Sequence, residues 1–134
     1  MNEQRRRWVW VLAWLVFQLL LTSLPGRMLP DLDSSLPIDK VAHVGMYGML
    51  GLLLVRATLT DTAQSAGPLG PLGRLLLLAA AISSLGAVDE LHQLFIPGRA
   101  AEVGDWLADT IGGVCGLATG FLLMKTRWAV RWLR

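Results

Sequence analysis

The chain has 134 residues, of which 54% are hydrophobic and 16% are charged. Soluble domains are about 45–50% apolar and about 25% charged, so this composition argues against a soluble domain and against a disordered chain. The single cysteine, Cys115, excludes a disulfide framework and any multi-cysteine metal centre, and the formal charge of +2 gives no indication of a nucleic-acid partner.

Four long apolar runs predict four transmembrane helices. A helix rises about 1.5 Å per residue, so about 20 apolar residues cross the roughly 30 Å hydrocarbon core of a bilayer. The runs are continuous rather than alternating, which favours helices over the strands of a barrel. The sequence therefore predicts one all-α domain over 1–134, a four-transmembrane-helix bundle with helices at about 8–24, 41–59, 75–95 and 106–124.

Lysine and arginine predict the orientation of this bundle, because the cytoplasmic segments of membrane proteins carry an excess of both. With the N-terminus inside, nine of the twelve basic residues fall in cytoplasmic segments. Only Arg27, Lys40 and Arg99 fall outside. We therefore expect a multi-pass protein with both termini in the cytoplasm.

Eight of the ten acidic residues lie outside or in the outer ends of the predicted helices. Asp39 and Asp105 are predicted at helix N-termini, where capping of free N–H groups is a sufficient reason for a carboxylate. Asp89 and Glu90 lie near a helix C-terminus and roughly 10 Å below its end, where neither dipole nor solvent favours charge. Ionisable groups at membrane depth indicate a functional site. The structural alternative is a buried carboxylate that is neutralised by Arg99 or capped by neighbouring hydrogen-bond donors.

Polar residues on the other helices are spaced to share a face. Asp39, His43 and Tyr47 follow one another at intervals of four, as do Asp105 and Asp109. Alone, His43 is better explained as an interhelical hydrogen-bonding residue.

The third and fourth helices add further polar and small residues. Gln93 lies three residues after Glu90, and Arg99 follows a Pro-Gly turn. Together the polar residues predict a pocket that opens to the outer surface with Arg99 at its entrance, although Arg99 could instead pair with Glu102. The fourth helix continues with a stripe of glycines that allows close helix packing: Gly112, Gly116 and Gly120.

Three motifs occur in order: Asp39-Lys40-x2-His43-x3-Tyr47, Asp89-Glu90-x2-Gln93-x3-Pro97-Gly98-Arg99 and Asp105-x3-Asp109-x2-Gly112. In this order and spacing they resemble the VanZ-like family, with one departure, since asparagine is frequent there at the position of Asp109. The resemblance implies an integral protein of the bacterial cytoplasmic membrane. The namesake of the family is associated with low-level resistance to the glycopeptide teicoplanin, and the resemblance implies no particular reaction.

The first functional hypothesis is an envelope protein that binds or modifies a lipid-linked molecule or a lipoglycopeptide at the outer leaflet. If it is an enzyme, the candidate catalytic residues are Glu90, Asp89 and His43, with Glu90 as general acid or base. Arg99 would hold a phosphate or carboxylate. The candidate binding residues are Arg99, Gln93, Tyr47, Asp39, Asp105 and Asp109.

Three other classes remain open from the sequence. A metal site could use Glu90, Asp89, Asp39 and His43, but no His-x3-His or cysteine pair is present, so no metal ligand and no cofactor is assigned. Intramembrane carboxylates also fit a non-catalytic transporter, although the cytoplasmic half shows no matching polar path. The third alternative is a purely structural membrane protein. The expected partner in every case is the lipid bilayer.

Overall fold

The computed structural model describes residues 1–28, 38–59 and 68–126, and all regular structure in these ranges is helical. The elements are α1 (Glu3–Thr22), a short 3-10 turn (Gly26–Met28), α2 (Ile38–Thr58), α3 (Gly70–Gln93) and α4 (Val103–Lys125). The all-α prediction with four long helices is therefore confirmed.

All four helices begin earlier than predicted, because polar residues and turn formers extend each helix beyond its apolar run. α1 begins at Glu3, where the Asn2 side chain accepts a hydrogen bond of 2.8 Å from the backbone N–H of Arg5. α3 begins at Gly70 and has Pro71 in its first turn, where a missing N–H leaves no helical hydrogen bond unmade. Apolar runs mark the lipid-buried part of a helix and not its ends.

Three of the four helices, α2, α3 and α4, are long and apolar enough to cross a membrane. α1 differs because every stretch of 18 residues within it contains Arg5, Arg6 and Arg7. The prediction of four clear spans is thus met by three, and α1 packs mainly against α2. Part of the orientation prediction depends on Arg127, Arg131 and Arg134, which lie outside the described residues.

The helices expose apolar side chains and bury ionisable ones. Leu76 on α3 and Leu122 on α4 are 63% and 62% exposed, whereas Glu90 and Asp109 on the same two helices are 6% and 0% exposed. Soluble proteins show the opposite preference. Helices surrounded by lipid need apolar outer faces, and their ionisable groups face the bundle interior. The fold is therefore that of an integral membrane protein.

The glycines of α4 form its contact with α2, which is the most extensive helix–helix interface. A Cβ atom at Gly112 would overlap the backbone of Val44, and one at Gly116 would overlap the carbonyl group of Gly48. The expected close approach at the glycine stripe is observed at these two positions. It brings the first turns of α2 and α4 together and thereby places His43 opposite Asp109.

Candidate functional site

Three ionisable side chains from three helices meet inside one end of the bundle: His43 of α2, Glu90 of α3 and Asp109 of α4. One nitrogen of the imidazole and one oxygen of each carboxylate lie within 4.8 Å of one another. All three residues are buried. At about 1.5 Å per residue they lie roughly 5 to 9 Å inside the helix ends, where α1 and α3 end and α2 and α4 begin. We call these residues the His43–Glu90–Asp109 cluster.

Asp109 is central to this cluster and is enclosed by α2 and α3. Its Oδ1 accepts a hydrogen bond of 2.8 Å from Nδ1 of His43. On the other side, a Cβ atom at Gly86 of α3 would lie 3.0 Å from Asp109 Oδ2. Gly86 therefore provides the space that lets α3 cover the carboxylate, and the pairing fixes the orientation of the imidazole ring.

Glu90 links α3 to the start of α4. Its Oε2 accepts a hydrogen bond of 2.8 Å from the backbone N–H of Glu102, the residue before α4. The second oxygen, Oε1, is buried without a hydrogen-bond partner among the described residues, and the same is true of Asp109 Oδ2. In that part of the chain no lysine or arginine forms an ion pair with either carboxylate. Of the cationic groups that the structure describes, only His43, when protonated, forms an ion pair here, and it does so with Asp109.

A second group of acidic residues lies closer to the surface and surrounds Lys40. The Nζ atom of Lys40 is 2.8 Å from Asp105, 3.1 Å from Glu102 and 3.3 Å from Asp39. We call this the Lys40 cluster. Asp105 lies in the first turn of α4, as predicted, but the N-cap position is Glu102, and the Asp105 carboxylate contacts Lys40. Asp39 does lie in the first turn of α2, as predicted.

Two predicted site residues have other surroundings. The Asp89 carboxylate accepts a hydrogen bond of 2.8 Å from the hydroxyl group of Thr22 on α1 and so lies outside the cluster. Arg99 neutralises neither Glu90 nor Glu102, since it forms no ion pair within the described ranges. Its guanidinium Nε has no hydrogen-bond partner there.

Tyr47 and Gln93 are both buried in the bundle. Nε2 of Gln93 has no hydrogen-bond partner among the described residues. The metal-ligand set considered from the sequence is not assembled, because Asp89 and Asp39 are both absent from the group that contains His43 and Glu90. Asp109 takes their place.

Sequence reasoning missed two partners in this region. At the level of sequence, Lys40 is interpreted only as an outer basic residue and as part of a motif, although its position beside Asp39, in a region rich in acidic residues, is a signal that it pairs with several carboxylates. Thr22 has no such signal, because its contact with Asp89 joins residues 67 positions apart.

A sequence profile of the VanZ/LLP1 family matches residues 2–124. The match includes all of α1, α2 and α3, all but the last residue of α4, and every member of both clusters. No curated protein and no solved structure matches the chain. With this profile match and its helical membrane fold, the chain belongs to the VanZ/LLP1 family.

Proposed function

We propose that this chain is a multi-pass protein of the bacterial cytoplasmic membrane that binds or modifies a lipid-linked envelope molecule or a lipoglycopeptide. The observation that carries the proposal is the His43–Glu90–Asp109 cluster, in which three helices bring ionisable groups within 4.8 Å at membrane depth. Such groups are unfavourable in a bilayer, and where they occur they mark substrate or ion sites.

The proposed orientation places the cluster at the extracytoplasmic side, with α1 as a fourth span and both termini in the cytoplasm. Basic residues support it, because nine of twelve then lie in cytoplasmic segments. The cluster lies at the end where α2 and α4 begin, which is the outer end in this orientation. A ligand from the outer leaflet could then reach the cluster without crossing the bundle.

The cluster has the parts of an acid–base site. Asp109 accepts the Nδ1–H of His43, which fixes the tautomer and leaves the other ring nitrogen, Nε2, basic. Glu90 would act as the second proton-transferring group, since its carboxylate lies in the same cluster. Asp89 is not part of this proposal because its carboxylate contacts Thr22.

Arg99 is the proposed contact for an anionic group of the ligand. It lies in the connection between α3 and α4, at the same end of the bundle as the cluster. Guanidinium groups hold phosphates and carboxylates by paired hydrogen bonds, and the Arg99 side chain makes no ion pair within the described residues. A lipid-linked phosphate or the carboxylate of a glycopeptide would fit this chemistry.

The proposal is tested by comparing teicoplanin and vancomycin susceptibility of cells that carry the wild-type protein, Glu90→Gln or Glu3→Gln at matched membrane levels. We expect the wild-type protein and Glu3→Gln to lower teicoplanin susceptibility and Glu90→Gln to abolish the effect. Glu3 is a suitable control because it is exposed at the opposite end of α1. If Glu90→Gln still lowers teicoplanin susceptibility, the cluster is excluded as the functional site. If the wild-type protein does not change susceptibility, the glycopeptide is excluded as the ligand.

A structural role competes with this function, since Glu90 also holds the start of α4 and Asp89 holds the end of α1. The double variant Asp89→Asn, Glu90→Gln separates the two. If the protein is purely structural, the double variant should be more stable in detergent, because two carboxylates no longer lie inside the bundle. Teicoplanin susceptibility should then be unchanged. The proposed site instead requires that the phenotype is lost.

A further inference from the structure

The geometry of the His43–Glu90–Asp109 cluster points to a binding site for one divalent transition-metal ion, of the Zn²⁺ or Mn²⁺ type. We propose that one imidazole nitrogen and one oxygen from each carboxylate are its protein ligands. This inference goes beyond the proposed function and does not depend on the identity of the envelope ligand.

The ligand set and its spacing fit such an ion. Imidazole nitrogen favours zinc and related metals over Mg²⁺ and Ca²⁺, whereas carboxylate oxygens are accepted by both groups. Ligand atoms lie about 2.0–2.2 Å from Zn²⁺, so two ligands of one ion are at most about 4.4 Å apart. The three groups already lie within 4.8 Å of one another. Only small side-chain adjustments would therefore bring them into coordination.

The unpartnered oxygens provide an independent indication of a ligand. Glu90 Oε1 and Asp109 Oδ2 are both buried and accept no hydrogen bond from the described residues. Leaving buried polar atoms without partners is unfavourable, and two carboxylates in a membrane-spanning bundle have only one imidazole beside them. A divalent cation would coordinate the free oxygens and balance the charge that His43 alone cannot balance.

The Lys40 cluster is the natural comparison, because Asp39, Glu102 and Asp105 also bring carboxylate oxygens within 4.8 Å of one another. There the Nζ atom of Lys40 already contacts all three carboxylates at 2.8 to 3.3 Å. Lys40 therefore gives every carboxylate of that group a cationic hydrogen-bond donor, and Asp39 and Glu102 are also exposed to solvent. The expected stoichiometry is therefore one ion per chain, at the cluster without a lysine.

The surroundings also hold the ligands in place. The backbone N–H of Glu102, which is outside the proposed ligand set, donates to Glu90 Oε2. Outer contacts of this kind orient metal ligands and influence affinity by about 10- to 100-fold. Three protein ligands leave at least one coordination position for water or for a ligand group.

The test measures metal in the purified full-length protein in detergent, in a Cys115→Ser background that removes the only thiol. After treatment with a chelator, the protein is dialysed against Zn²⁺ or Mn²⁺ alone, and bound metal is measured by mass spectrometry. We expect one ion per chain in the unmodified cluster and in the Glu3→Gln control. Glu90→Gln and Asp109→Asn should each bind at least about tenfold more weakly.

Two measurements on the unmodified cluster keep the test decisive if a variant fails to fold. Addition of metal should raise the melting temperature, since an ion that binds only the folded state stabilises it. Loading with Co²⁺ should give visible absorption typical of nitrogen and oxygen ligands, which His43→Gln should alter. No bound metal and no melting shift with either ion would overturn the inference in favour of carboxyl groups neutralised by protons. Equal metal binding by folded Glu90→Gln would also overturn it.

These outcomes are separate from those of the proposed function. A protein without metal that still lowers teicoplanin susceptibility would overturn the metal site alone. A protein that binds one ion through the cluster but has no effect in cells would overturn the proposed ligand class alone.

Discussion

Asp89 and Glu90 are neighbours in the sequence, but they contact different parts of the bundle. Consecutive residues on a helix point about 100° apart, so Asp89 reaches Thr22 on α1 while Glu90 lies in the cluster beside α4. The sequence predicted both as catalytic residues because it showed only their common depth. At the scale of single residues, the interhelical partner determines the role of each carboxylate.

We expect Thr22→Val to destabilise the protein by about 1.5 kcal/mol, because Asp89 loses the hydrogen bond that its carboxylate accepts from the Thr22 hydroxyl group. The volume of the side chain is nearly unchanged, so packing should be preserved. Thermal unfolding in detergent measures the effect. Ser84→Ala is the control, since the exposed Ser84 hydroxyl donates only within its own helix and its loss should change little. Equal melting temperatures for Thr22→Val and the wild type would contradict the assigned contact.

Lys40→Gln should lower the melting temperature, and the loss should be larger at low than at high ionic strength. The substitution leaves Asp39, Glu102 and Asp105 close together without the cation that contacts all three. Salt screens the resulting repulsion between these partly exposed groups. Arg6→Gln, which removes one exposed pair with Glu3, should have little effect at either ionic strength. A Lys40→Gln deficit that does not depend on salt would argue against this electrostatic explanation.

At the scale of the helices, the sequence predicted those features that depend on the spacing of residues within one segment. The apolar runs identified the four helices, and the interval of four residues identified the glycine face of α4. Pairings between helices depend on how each helix is rotated and shifted against its neighbour, which no single segment encodes. The bond from His43 to Asp109 and the three contacts of Lys40 therefore emerged only from the structure.

Gly116→Ala should destabilise the α2–α4 interface by about 1–3 kcal/mol, because the new methyl group would overlap the Gly48 carbonyl and force the two helices apart. Gly45→Ala is a matched control on α2, since nothing lies within 4 Å of a Cβ atom there. It should be neutral or stabilise the helix by up to about 1 kcal/mol. Thermal unfolding of both variants tests the interface. A Gly116→Ala protein as stable as Gly45→Ala would show that the helices are not in close contact.

At the scale of the whole molecule, the buried acidic residues and the buried histidine of the described ranges all lie at one end of the bundle. Both acidic clusters lie where α2 and α4 begin. Beneath the His43–Glu90–Asp109 cluster, the core contains fully buried apolar residues such as Leu50 and Ile82. A bundle whose interior is polar at one end and apolar below it favours binding or chemistry at one membrane surface. It does not favour the passage of a polar ligand through the bundle. The side of the membrane on which this end lies therefore determines which molecules can reach it.

Cysteine labelling tests the orientation proposed from the basic residues. In a Cys115→Ser background, Ala100→Cys places an exposed thiol at the cluster end, and Glu3→Cys places one at the opposite end of α1. Because cytoplasmic segments carry the excess of arginine and lysine, a membrane-impermeant maleimide should label Ala100→Cys in intact cells. It should label Glu3→Cys only after permeabilisation. The reverse pattern would place the cluster end of the bundle at the cytoplasmic side of the membrane. An outer-leaflet lipid or an external glycopeptide would then have no access to Glu90, and the ligand would have to come from the cytoplasm.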